Sequence, residues 1–136
     1  MSFTVSAPEL AYALAVQAAP AGASVETELT PETPTKLPYV LVSTTAPASA
    51  ANGPQEAASG FDIVLSCYAE TNVAALHLCL ATYEGFYRLW RSRTVTDYGW
   101  ISHISRDSLQ PRRVASVLAN DDAVRYDATV RVVARH

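Results

Sequence analysis

From Arg125 to Arg135 the chain reads RYDATVRVVAR, and apolar and polar side chains alternate there almost without a break. Tyr126, Ala128, Val130, Val132 and Ala134 are set to point one way; Arg125, Asp127, Thr129, Arg131 and Arg135 are set to point the other, with Val133 the one apolar residue among them. A period of two marks a strand with one buried and one wet face. Such a strand belongs to a sheet whose other face is covered. The cover is predicted from about Thr71 to Arg91, where Val73, Ala74, Leu76, Leu80, Tyr83, Tyr87 and Trp90 recur at helical steps of three and four, with Cys79 and Phe86 widening the stripe. Thr71 or Glu70 suits the helix start, and Arg88, Arg91 and Arg93 suit the negative end of its dipole. Gly85 inside the helix costs about 1 kcal/mol relative to alanine, which predicts a close neighbour or a bend there.

The remaining elements follow from punctuation and residue type. Ser6 or Ala7 followed by Pro8 and Glu9 reads as a helix start; Leu10, Ala13, Leu14 and Gln17 continue it until Pro20 and Gly22. Val25, Thr27 and Leu29 alternate with glutamates, which fits an exposed strand and equally a plain extended linker, before the proline-bearing run Thr30 to Pro38. Tyr39 to Thr44, Phe61 to Tyr68 and Tyr98 to Ser105 read as strands, the last with Ile101 and His103 opposite Tyr98, Trp100 and Ile104. Two long connections remain. Thr45 to Gly60, TAPASAANGPQEAASG, has little to bury, so a mobile loop is expected at 45–60. Arg106 to Ala123 carries Pro111, Arg112, Arg113, Asp121 and Asp122, and is too long for a hairpin turn. The expected fold is α+β: a mainly antiparallel sheet of four strands, or five with Val25 to Leu29, a long helix on one face, and a short N-terminal helix. At 136 residues, one domain spanning 1–136 is expected.

Charge and rare residues exclude several classes of function. Residues 1–87 hold eight carboxylates against Lys36 alone, whereas residues 88–136 hold nine arginines against five carboxylates. The structural reading is that wet strand faces need charges; the sharper one is a subunit with oppositely charged sides that meets its copies head to tail. Cys67 and Cys79 are too few for a disulfide framework and read as small buried side chains in a reduced, cytosolic protein. No apolar run approaches the length of a membrane span, and the first 35 residues lack the Lys or Arg of an export signal. His77, His103 and His136 stand at no metal-ligand spacing, and Cys79 lies two residues from His77 on a helix, on a different face. There is no phosphate loop and no nucleophile elbow. No catalytic residue, cofactor or metal is expected.

The order of these segments carries a resemblance. A short N-terminal helix, a proline-bearing stretch, LPYVLVSTT, a loop, FDIVLSCYAETNVAALHLCLATYEGFYRLW, a strand and a closing VRYDATVRVVAR resemble the small tail terminator proteins of long-tailed bacteriophages, from about residue 8 to 135. The strand ending in CYAET that runs straight into a helix, and the final Arg-Tyr before an alternating strand, are its most specific parts. The resemblance implies a structural virion protein: a ring, usually six-fold, that caps the tail tube, ends its polymerisation and offers the surface on which the head connector docks. Its implied partners are further copies of itself, the tail tube protein and a head connector or completion protein. DNA would pass the channel without specific binding, and the protein would be assembled in the host cytoplasm and end at the head-proximal end of the tail. No motif transfers particular interface residues; Arg112, Arg113, Arg125, Arg131 and Arg135 are the charged candidates. A head-completion protein and a stand-alone α+β module that binds a ligand or protein are the alternatives, with an enzyme third.

Overall fold

The computed structural model describes residues 5–49, 58–115 and 123–136. In chain order they form α1 (Ala7–Ala18), β1 (Ser24–Glu26), a 3-10 turn (Thr33–Thr35), β2 (Tyr39–Thr44), β3 (Ala48–Ser49), β4 (Ser59–Ala69), α2 (Asn72–Arg91), β5 (Trp100–Ile104), β6 (Leu109–Val114) and β7 (Val124–Arg135). The centre of the segment expected to be mobile, residues 50–57, and the pair Asp121 and Asp122 lie outside the described residues. The ends of that segment are ordered in the sheet, because Ala48 and Ser49 pair with Gly60 and Ser59.

The alternating segment becomes the strand around which the sheet is built. β7 pairs antiparallel with β4 over eleven positions, from Ser59 opposite Ala134 to Ala69 opposite Val124. Its other side is shared by β5 and β6. The sheet has seven strands in the order β1-β2-β4-β7-β5, with β3 beside β4 and β6 beside β7. Two expectations need correction. Among the described residues the sheet has seven strands instead of four or five, and although its other pairings are antiparallel as expected, β1 runs parallel to β2, so the sheet is mixed. Parallel neighbours need a connection that travels back along the sheet. Residues 27–38 make it, held by Tyr39 Oη donating to the Glu28 carbonyl, with Thr33 fully buried beneath it.

β6 corrects the third expectation. The first part of the connection 106–123 forms the strand β6, whose Val114 stands opposite Arg125 on β7. Its sequence LQPRRV hid it: Pro111 removes a donor, and the register shifts between Leu109 and Arg112, so no alternation survives. A second irregularity lies between Ile101 and His103 in β5. The extra residue places Ile101 and Ile104 together in the core, where simple alternation had put them on opposite faces.

Both helices pack on the inner face, over Val40, Val42, Ile63, Leu65, Cys67, Tyr126, Ala128 and Val130. α2 begins as expected, with Thr71 Oγ1 accepting from the Ala74 amide at 3.1 Å. It ends where Arg93 takes a positive φ of 53° and the Thr94 amide closes on the Leu89 carbonyl at 3.0 Å. Its buried face is in part the one expected: Cys79, Tyr83 and Phe86 are buried, and Leu76, Tyr87 and Trp90 are partly buried against the core. Ala75, Leu78, Cys79, Thr82, Tyr83, Gly85, Phe86 and Leu89 point inward, whereas Val73, Ala74 and Leu80 are exposed. The face is chosen by fit: small residues let the helix lie close to both the sheet and α1. Thr82 is fully buried because its hydroxyl donates to the Leu78 carbonyl at 2.8 Å. Leu80, 36% exposed, is only partly buried and has less to lose than a core leucine. Leu80→Ala is therefore expected to destabilise by no more than about 1.5 kcal/mol, below the range for a core leucine, read as the shift in urea midpoint. A loss above about 2 kcal/mol would mean that this helix face is packed in solution.

Candidate functional site on the outer sheet face

Register decides which side chains share the uncovered face, because directly opposed residues of an antiparallel pair point the same way. Tyr39, Tyr68 and Arg125 form one row, Leu41, Ser66 and Asp127 the next, and Ser43, Val64 and Thr129 a third. Asp62 and Arg131 follow. At the end nearest the start of β2 this face is not wet. Tyr39 and Tyr68 meet edge to face at 6.4 Å and enclose a second small core with Ala123, Leu37 and Leu41.

Arg125 lies in this covered region. Its Nε and Nη2 form a fork on Asp127 at 2.8 and 2.9 Å, Nη2 lies 3.4 Å from Ser66 Oγ, and the guanidinium sits 5.8 Å from the Tyr68 ring centre. The hydrogen bonds to Asp127 push the Arg125 pKa further up, against the opposing effect of burial. Burial also raises the phenol pKa values of Tyr68 and Tyr39. Tyr68 Oη is buried without a hydrogen-bond partner among the described residues. Within the subunit Arg125 is thus held by Asp127 and by the Tyr68 ring. Asp127→Ala leaves it half-buried and unpaired, and is expected to destabilise by about 1–2 kcal/mol in equilibrium unfolding. A change under about 0.3 kcal/mol would show the pair to be no better than a surface contact.

The other arginines divide by face. Arg112, opposite Asp127, is exposed on the outer side, and its guanidinium has no hydrogen-bond or ion-pair partner among the described residues. Arg131 reaches Asp62 at 3.5 Å and stays 45% exposed. Arg135 is exposed opposite Trp100 at the far end of β7. Arg113, opposite Tyr126, points to the helix side instead, where its Nη1 lies 3.4 Å from Asn72 Oδ1, an atom that also accepts from Tyr126 Oη at 2.8 Å. The five candidates therefore form no single patch.

Residues not singled out by the sequence complete the picture. Glu26 on β1, and Glu28 and Glu32 on the crossover, are exposed at the edge opposite β6. A cleft of about 420 Å³ lies between the end of α2 and β5, lined by Trp90, Arg91, Arg93, Trp100, Ile101 and Ser102. Trp90 Nε1 donates to the Ser102 carbonyl at 3.2 Å and its ring meets His103 edge-on at 5.8 Å, so the tryptophan braces an edge strand. Among the described residues no three of His, Cys, Asp and Glu gather as a metal group, and no helix is long and apolar enough to cross a membrane. Cys67 and Cys79 are free and buried, and their mutual contact is the main cause that holds the Cys67 thiol pKa high.

No family model matches the chain, and no curated protein does. Among solved structures, a chain of "Virion of native gene transfer agent (GTA) particle" aligns with 93% of this chain and 85% of its own, at a TM-score of 0.55 and 18% sequence identity. At that identity the likeness establishes a shared fold.

Proposed function

We propose that this protein is a structural component of a phage-like particle, one that closes the tail tube as a ring and presents the surface on which the head docks. The observation that carries the reading is the fold likeness to a chain of a gene transfer agent virion over nearly the whole length. The arrangement of segments described above, and the division of charge between the two ends of the sheet, point the same way. The protein acts through surfaces. Its partners are further copies of itself, six in the usual form of such rings, with the tube protein on one side and a head connector or completion protein on the other. DNA passes through the ring without being gripped, since a channel that neutralised phosphates would hold the genome back.

Gene deletion in the particle-producing genome, followed by electron microscopy, tests this. Headless tails, some with overlong tubes, are expected. Tails of normal length beside unstable or empty heads would move the protein to head completion. Normal infectious particles would reject a virion role altogether.

A further inference from the structure

The two open edges of the sheet are unlike in charge and alike in their resistance to strand addition. β1 is three residues long and ends in Glu26, followed by exposed Glu28 and Glu32 with only Lys36 to offset them. β6 is bulged, contains Pro111, and carries exposed Arg112 and Arg113, while the turn before it adds Arg106 against Asp107. Short length, charge, proline and a bulge are the features that keep sheet edges from pairing with a further strand. Contact at these edges must then run through side chains instead of a continued ladder.

These edges cannot neutralise each other within one subunit. Between β1 and β6 stand β2, β4 and β7, which at the usual strand spacing puts the two edges roughly 19 Å apart. That is about twice the distance over which exposed charges feel each other at physiological ionic strength. The opposite charge for each edge is therefore available from another molecule. We propose that a second copy of this chain docks head to tail, the Arg106 and Arg112 edge of one subunit against the Glu26 and Glu28 edge of the next. A contact between two different patches repeats, and it closes into a ring when its rotation divides a full turn. This rests on the ring reading above and names the surfaces that build it.

Charge exchange tests the inference with the full chain. Three variants are compared with the unaltered protein by native mass spectrometry and light scattering at high protein concentration and low salt: Arg106→Glu with Arg112→Glu, Glu26→Lys with Glu28→Lys, and all four together. All four positions are exposed, so thermal unfolding should be nearly unchanged and serves as the control for folding. Each double variant is expected to associate at least about tenfold more weakly, with the deficit shrinking to roughly two- to threefold near 0.5 M salt. The fourfold variant is expected to regain self-association while refusing to mix with the unaltered chain, because every cross-contact would then set like charges together. Association of the unaltered chain with no effect of either double variant, or no recovery in the fourfold one, would overturn these surfaces and leave the ring itself standing. An unaltered chain that stays monomeric both alone and in its particles would overturn the ring and the surfaces together.

Discussion

Phe86→Ala is expected to destabilise the protein by about 3–5 kcal/mol, a large share of what holds a domain of this size together. Phe86 is fully buried on α2, within the core that α1, α2 and the inner sheet face share. Removing the ring takes its apolar surface out of the core and leaves a cavity that rigid neighbours fill only in part. The measurement is a urea midpoint at unchanged slope, since a changed slope would report a different unfolded or native state. A loss below about 1.5 kcal/mol would mean that the helix seats itself differently against the sheet. The contrast with Leu80, six residues earlier on the same helix, makes the pair of variants a direct reading of which way α2 faces.

Gly85→Val is expected to lower stability by about 3 kcal/mol, at the upper end of the range for overpacking. A β-carbon at Gly85 would stand 2.5 Å from the Ala18 carbonyl oxygen and 2.8 Å from its Cα and Cβ. Two of those atoms are backbone, so relief requires the end of α1 to move bodily. Gly85→Ala should show the same sign at about 1–2 kcal/mol, even though alanine improves intrinsic helix propensity by about 1 kcal/mol. A stabilised alanine variant would show that the two helices separate easily at this point.

That glycine also shows how far a sequence of this kind can be read. Its presence inside a helix already demanded a close neighbour or a bend, and the neighbour is Ala18. Which element approaches is a tertiary fact with no local trace. The same division holds elsewhere. β7 was legible because its alternation is set by burial on one face, and β2 because it is rich in aromatic and β-branched residues; β2 begins and ends where expected, at Tyr39 and Thr44. The facing of α2 was legible only in part: Cys79, Tyr83 and Phe86 lie inward as their spacing implies, but packing chose Ala75 and Gly85 for their small size over Val73 and Leu80, which are exposed. β6 left no pattern because its bulge and Pro111 erase the period by which strands are recognised. Of the candidate surface, the arginines were visible but their sides were not. Arg112 and Arg113 are adjacent in sequence and fall on opposite faces, and Arg125 is taken up by Asp127, a partner two residues along the same strand.

Because β7 comes after every strand it pairs with, the middle of the sheet is the last part of it to be synthesised. Before residue 124 is made, β4 has only β2 and β3 beside it, and β5 and β6 have no strand to join. Ladders between distant segments form slowly and wait on the chain that completes them. An emerging chain can therefore hold its helices and the β2–β4 hairpin early, yet its basic edge does not exist as an edge until β7 slots in. If subunits meet through that edge as proposed, a subunit cut short before β7 would lack the surface for its neighbour, and the order of the fold itself would keep incomplete products out of the ring.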